Sequence, residues 1–462
     1  MAIRSSVRAR GGMRTAIVTA AAAALLPTAA PASAAAPTPA APAAAPTPID
    51  LSLVDDYSKF TEDDNTAIAA HAKALIDAAP SGANLRLPLY YFTQQSIVDA
   101  LKNARVRGVK VKIVINGSEI GMPQYKSLTA PFEPSPGAAK IKLDVVTCGQ
   151  RVQDAAGGFP TQSGRYISDR GCIADRQRGD HYSRMHNKFM TIDKVELSGG
   201  GIAQNVVYVA SANLHEWTSY ESAITVRDQG LHTFYAKYFD DMYALATGNL
   251  EEDNHNYGKT RKTADGKYEL YTFPRKEADG QAFTSGSRDP VVAKIKAAEC
   301  SPDTTTDVIN VANARVARAP VADALIAAGK RGCTVRVVTG DTRYKDEEET
   351  DRTYEAVRKL ANSQYITGGV KVCGPENGIA WMHEKFMQIS GGTSAGLYVG
   401  SHNLTYQALR QQDENILRMV DSPLNAGYTQ RFERLHAYCP PVLLTPDVLS
   451  GGAEAGAVEE VW

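Results

Sequence analysis

Read for polarity alone, the chain alternates short apolar runs of strand length with stretches in which apolar residues recur every three or four positions. Residues 61–80, TEDDNTAIAAHAKALIDAAP, predict a helix with a capping-box start at Thr61 and Asp64 and a proline stop. The apolar strand LRLPLYYF (85–92) follows. Residues 98–115, VDALKNARVRGVKVKIVI, then give a helical pattern that ends at Gly108 and runs into an alternating, β-branched strand. The order recurs in the second half, where DPVVAKIKAAEC (289–300) and DVINVAN (307–313) precede ADALIAAGKRGCTVRVV (322–338).

The echo sharpens further along. MHNKFMTI (185–192) and MHEKFMQI (382–389) agree at six of eight positions, and each is followed by an apolar strand ending in Ser-x-Asn-Leu, VYVASANL (207–214) and LYVGSHNL (397–404). Each half therefore reads helix, strand, helix, strand, His/Lys strand, strand, helix. Strands alternating with helices predict an α/β layer structure around a parallel or mixed sheet. A duplicated chain of 462 residues predicts two lobes, 51–260 and 261–445. Residues 149–180, rich in Gly and polar side chains, predict a surface loop inserted in the first. The charged run 341–360 predicts a solvated helix.

The ends of the chain are different in kind. Arg4, Arg8, Arg10 and Arg14, the apolar run Thr15–Leu26 and the site Ala32-Ser33-Ala34 predict a signal peptide over 1–34 and a secreted, extracellular protein. Residues 35–50 are a Pro/Ala-rich linker and 446–462 a C-terminal tail. Without 1–34 the chain carries 46 basic and 51 acidic residues, a formal charge of −5. That balance disfavours a partner bound through its phosphate backbone. Six cysteines in an exported chain predict three disulfides, for which neighbours in sequence are the simplest pairing: Cys148–Cys172, Cys300–Cys333 and Cys373–Cys439.

On a strand, His186 and Lys188 share a face, as do His383 and Lys385. Lysines among Phe, Met and Ile are costly to bury without an anion, so the repeated pair predicts a site rather than core. Ser211, Asn213, Ser401 and Asn403 add hydrogen-bonding groups at strand ends for the substrate. Glu221 and Glu414 each follow that element and are candidates to orient the histidines. Ammonium groups between histidines suit a phosphate and repel a metal ion, so no metal or cofactor is implied. The chemistry that fits is phosphodiester cleavage, one histidine attacking phosphorus and the other protonating the leaving oxygen.

These residues resemble the phospholipase D superfamily, whose signature is H-x-K-x-x-x-x-D. His186, Lys188 and Asp193 fit it fully; His383 and Lys385 fit the second copy, where Ser390 stands in place of Asp. The resemblance spans about 55–440. It implies two similar α/β/α sandwich lobes, one active site at their pseudo-twofold interface, and a phosphohistidine intermediate, with Asp193 in a supporting role. His186 is then expected as nucleophile and His383 as general acid and base. Three readings follow: a secreted phospholipase D that hydrolyses or transfers phospholipid headgroups, a secreted nuclease, or a phosphate-binding relative without catalysis. Phe159, Trp217 and Trp381 could form an apolar rim for a lipid. Since the site is complete in one chain, a monomer acting on a phospholipid surface is expected, with no protein partner.

Overall fold

The described residues form two large mixed sheets of eight strands, the first taking one strand from the second half, and a short two-stranded pairing makes the reciprocal crossing. The first runs β1 (Tyr57–Thr61), β10 (Ser219–Arg227), β9 (Ile202–Ala210), β8 (Phe189–Glu196), β2 (Asn84–Leu89), β3 (Lys110–Ile115), β4 (Asp144–Thr147). Its eighth strand is β18 (Trp381–Met382), which comes from the second half and pairs parallel with β10. The second sheet runs β11 (Thr260–Lys262), β12 (Tyr268–Thr272), β22 (Asn415–Met419), β20 (Gly396–Gly400), β19 (Lys385–Ile389), β13 (Val308–Arg315), β14 (Thr334–Asp341), β17 (Val370–Val372). The reciprocal crossing is β7 (Arg184–Met185) beside β21 (Gln412–Asp413). This computed structural model describes residues 45–61, 66–149, 161–162, 165–166, 170–176, 183–216, 218–247, 256–300, 307–341, 343–345, 351–367, 369–374, 380–442 and 444. The expected signal peptide and tail, Phe159, Trp217 and most of the 149–180 insertion lie outside the described residues.

The duplication is visible in the registers. Leu85 of β2 pairs with Ile192 of β8, and Ile309 of β13 pairs with Ile389 of β19, so the two His/Lys strands flank equivalent parallel pairs, β2–β3 and β13–β14. The predicted crossover helices are α2 (Gln95–Arg107) and α6 (Ala319–Lys330). Gly108 ends α2 at φ +95°, a left-handed position that an L side chain adopts only with strain.

Helices cover both faces of both sheets, as the α/β/α expectation requires. One core joins the first sheet to α1 (Thr66–Asp77), α2 and α3 (Pro123–Thr129). Another joins the second to α5 (Pro290–Lys296), α6 and α7 (Glu355–Ala361). Between the sheets, a third core takes Phe189 and Val209 from one, Phe386 and Leu417 from the other. It also holds Tyr235 and Phe239 of α4 (Gln229–Thr247) and Tyr428 and Phe432 of α9 (Asn425–Tyr438). This shared apolar layer makes the two lobes one compact unit.

Local expectations meet the structure in three places. Thr61 ends β1, its hydroxyl donating to Ser219 O at 2.8 Å, and α1 is described from Thr66, while Asp64 of the expected capping box lies outside the described residues. Ordered pairing also starts inside the expected linker, where Thr47 N donates to Asp77 O and buried Ile49 bridges to Leu197. Among the described residues of the charged run there is no long helix; β15 (Arg343–Lys345) pairs antiparallel with β16 (Asp351–Thr353) before α7. Side-chain repulsion in a run of acids disfavours one continuous helix. Within the insertion, β5 (Thr161–Gln162) pairs with β6 (Arg165–Tyr166).

The three disulfides join the pairs expected from sequence, with Cα separations of 4.6, 5.0 and 5.1 Å. Three disulfides suggest an extracellular or periplasmic protein. No helix among the described residues is long and apolar enough to cross a membrane.

Candidate active site

The two strand crossings bring the duplicated histidines together. β7 and β18 lead directly into His186 and His383, and each crossing is locked by the backbone: His186 N donates to Asp413 O at 3.0 Å and His383 N to Tyr220 O at 2.9 Å. As a result each histidine meets the glutamate of the other half. His186 Nδ1 donates to Glu414 Oε1 at 2.6 Å, and His383 Nδ1 to Glu221 Oε1 at 2.5 Å. All four side chains are buried. The sequence marked both glutamates but not this exchange, which exists only once the lobes pair.

A donated Nδ1–H fixes the tautomer and places the lone pair of each neutral ring on Nε2. Lys188 Nζ donates to His186 Nε2 and to His186 O, both at 3.0 Å, and Lys385 Nζ donates to His383 O at 2.9 Å. Burial first, then Lys188 and Lys385, holds the His186 pKa well below the ordinary range. The ring is therefore neutral at physiological pH, which a nucleophile requires. Burial pushes Glu221 up, against the opposing pull of Lys385.

The serines sit against the glutamates. Ser211 Oγ donates to Glu221 Oε2 at 2.5 Å, and Ser401 Oγ donates to Glu414 Oε2. Both are buried and hold the glutamates. Asn213 and Asn403, two residues on, are buried in the same loops. Asn213 lines a small cavity with Lys188 and Tyr90.

Asp193 stands apart from this constellation. Its carboxylate accepts from Asn84 N at 2.8 Å and Asn84 Nδ2 at 2.6 Å, fastening β8 to the start of β2. Ser390 occupies the equivalent place: its Oγ accepts from Val308 N at 2.6 Å and donates to Val308 O at 3.3 Å, at the start of β13. The exchange of Asp for Ser thus replaces one strand tie with another.

Several residues of the site gave no signal in the sequence. The Asp413 carboxylate lies in a nest of three backbone N–H groups, from Cys172 at 2.6 Å, Ile173 at 3.1 Å and Ala174 at 2.7 Å, so the disulfide-bonded segment is strapped to the residue next to Glu414. Burial nevertheless pushes Asp413 up to about 7. Buried His215 feels the charges of Glu221, His383 and both lysines, and burial pulls it down to about 4. Tyr90 sets its ring edge-on at 4.5 Å from His186, with its hydroxyl accepting from Arg184 Nη1 at 3.0 Å. Trp381, expected at an apolar rim, lies 4.6 Å from the His383 ring.

The environments behind the two histidines have diverged. Behind His186, Asn187 Nδ2 donates to Tyr238 Oη at 3.0 Å and Asn415 Nδ2 donates to Asn187 Oδ1 at 2.9 Å. At the matching positions behind His383, Arg431 Nε donates to Glu384 Oε1 at 2.9 Å and Ser222 Oγ to Glu384 Oε2 at 2.6 Å. One half is backed by a neutral network and the other by a buried ion pair.

The family described as "Cardiolipin synthase, PLD-like domain" matches this chain over residues 73–243 and 292–436, once in each half. No curated protein matches significantly. Among solved structures, phosphatidylserine synthase from Haemophilus influenzae is similar with a TM-score of 0.51 at 10% identity, covering 83% of this chain and 87% of its own. Polyphosphate kinase from Porphyromonas gingivalis gives a TM-score of 0.47 at 12% identity over 82% of this chain, which spans half of the kinase's length. Nuc from Salmonella typhimurium is 21% identical with a TM-score of 0.25, covering 33% of this chain and 89% of its own.

Proposed function

Since this chain belongs to the phospholipase D-like family described as cardiolipin synthase, PLD-like domain, we propose that it is a secreted phospholipase D. The family acts on phosphodiester bonds, which makes the chain an enzyme of the phosphodiesterase or transferase kind. In our reading it hydrolyses the headgroup ester of a phospholipid, or passes the phosphatidyl group to an alcohol, without a metal ion. The observation that carries this is the crosswise pairing of His186 with Glu414 and His383 with Glu221, with Lys188 and Lys385 beside them.

The sequence of events follows from those atoms. The phosphate enters between the two Nε2 atoms, its non-bridging oxygens facing Lys188 and Lys385 and the amides of Asn213 and Asn403. Neutral His186 attacks through Nε2, and His383, protonated and held by Glu221, gives its Nε2 proton to the departing headgroup oxygen. The phosphohistidine is then opened by water or an alcohol, whose proton returns to His383. Glu414 compensates the positive charge that develops on His186.

A lipid is favoured over nucleic acid by the acidic excess of the chain without 1–34. The test is incubation in EDTA with phosphatidylcholine vesicles and ethanol, with single-stranded and plasmid DNA in parallel and His186→Ala as control. Choline release with phosphatidylethanol, both lost in the variant, is the expected result. DNA cleavage with intact lipid would transfer the same mechanism to a nuclease. Inertness toward lipid and DNA alike would overturn the reading.

A further inference from the structure

The two walls of the site are built from equivalent positions carrying different residues. The strand registers and the His/Lys alignment make Arg184 equivalent to Trp381, Asn116 to Gly340, and Tyr90 to Ala314. On the His186 side, Asn116 Oδ1 accepts from Met185 N at 3.0 Å, and Arg184 reaches past it to the hydroxyl of Tyr90. That wall is hydrogen-bonded and cationic. On the His383 side the corresponding volume is emptied for an indole. A Cβ on Gly340 would lie 2.7 Å from Trp381 Nε1 and 2.0 Å from Met382 O, so only glycine lets the ring and its strand settle there. Ala314 leaves no second ring in the way. The half-buried indole, 4.6 Å from His383, is that wall's aromatic surface.

In a displacement through His186, the oxygen that leaves and the oxygen that later attacks both occupy the side of phosphorus opposite His186, next to His383. We propose that Trp381 is a specificity-determining residue for that alcohol: its ring receives the carbon chain of the leaving group and then that of an acceptor alcohol, in preference to water. This rests on the reading above with His186 as nucleophile. In the transfer step the phosphorus–Nε2 bond of His186 breaks, a phosphorus–oxygen bond to the alcohol forms, and the hydroxyl proton passes to His383 Nε2. An aromatic wall favours alcohols that present C–H groups to it, since hydrophobic contact of about one methylene discriminates roughly 10–200-fold.

The test uses bis(p-nitrophenyl) phosphate as well as phosphatidylcholine as donor, with butanol as acceptor, and reads the ratio of butyl ester to hydrolysis product. Trp381→Ala is expected to lower that ratio about tenfold with either donor, while Trp381→Phe, which keeps a ring, retains most of it. Arg184→Met should leave the ratio where it is, whatever it does to the rate. An unchanged ratio in Trp381→Ala overturns the proposal. A drop confined to Arg184→Met does so as well, and reverses the roles of the two histidines. Turnover of the aryl diester without lipid turnover removes only the lipid reading and still tests Trp381. Turnover of neither donor removes both.

Discussion

Glu221, on the first sheet, accepts a 2.5 Å hydrogen bond from Nδ1 of His383, which belongs to the second half of the chain. The reverse pair, Glu414 and His186, has the same geometry at 2.6 Å. Neither half alone therefore contains an oriented histidine. Replacing either glutamate by Gln leaves a ring whose tautomer is no longer enforced, and should lower kcat on the order of 10²–10⁴-fold with little change in fold. Rapid-quench measurement of the phosphohistidine separates the two: Glu414→Gln slows its formation, whereas Glu221→Gln slows both its formation and its breakdown. Equal effects on both steps from both variants would contradict the division of labour.

Ser211 and Ser401 act through those glutamates. Ser211→Ala removes the donor to Glu221 Oε2 and leaves a buried carboxylate less satisfied. The expected loss is about tenfold in kcat with KM unchanged, as for a residue that acts through Glu221 alone. A rise in KM at constant kcat would return Ser211 to the role the sequence suggested.

Asp193 and Ser390 should behave as structural residues. Asp193→Ala breaks two bonds to Asn84 and is expected to cost about 1–3 kcal/mol of stability, with kcat nearly unchanged. Ser390→Asp, which completes the second motif, should give no gain in rate. Thermal denaturation beside steady-state kinetics decides it; a large fall in kcat at unaltered Tm would place Asp193 in the chemistry.

The contrast between these residues shows what the sequence could carry. Strand order, the duplication and the histidine–lysine faces were legible because hydrophobic period and spacing along one strand determine them. The disulfide pairs were legible because each joins cysteines adjacent in sequence. Spacing along the chain could not reveal the exchange of glutamates between halves, since it depends on β7 meeting β21 and β18 meeting β10. Nor could it show that Ser211 donates to Glu221 while Asn213, two residues on, lines a small cavity. Asp193 was expected in a supporting role, and its partner Asn84 could not be read from the motif, because a motif records that residues recur together, not what each one meets.

The ion pair behind His383 makes a sharper stability prediction. Arg431 and Glu384 are both fully buried, and burial pushes Glu384 up despite the pull of Arg431. Removing one partner strands the other charge, so Glu384→Asn or Arg431→Tyr alone should destabilise the fold by about 3–5 kcal/mol. The double substitution Glu384→Asn with Arg431→Tyr copies the neutral arrangement found behind His186 and should recover much of that loss. Denaturant unfolding of the four proteins measures the coupling. Additive losses would mean that the pair is not an energetic unit.

Acid should destabilise the protein through its buried histidines, against the opposite effect of buried carboxyls such as Asp413 whose pKa is raised. Burial, then the charge of Lys59, pulls His71 from 6.5 to about 4, and His71 Nε2 is 2.7 Å from Thr225 Oγ1. A folded-state pKa below the unfolded one means that the unfolded chain binds the proton first. The contribution is therefore fully present above about 6.5 and is lost progressively as pH falls toward 4. One such group is worth about 3 kcal/mol over that window, from roughly 1.4 kcal/mol per pH unit. His71→Gln should flatten the slope of unfolding free energy against pH between those limits while lowering stability at pH 7. The rate should respond differently. Because His186 stays neutral far below its ordinary range, the acid limb of kcat/KM should lie well under pH 6.5 wherever the protein remains folded. An acid limb at or above that value, measured with unfolding excluded by circular dichroism, would mean that the attacking group is not His186.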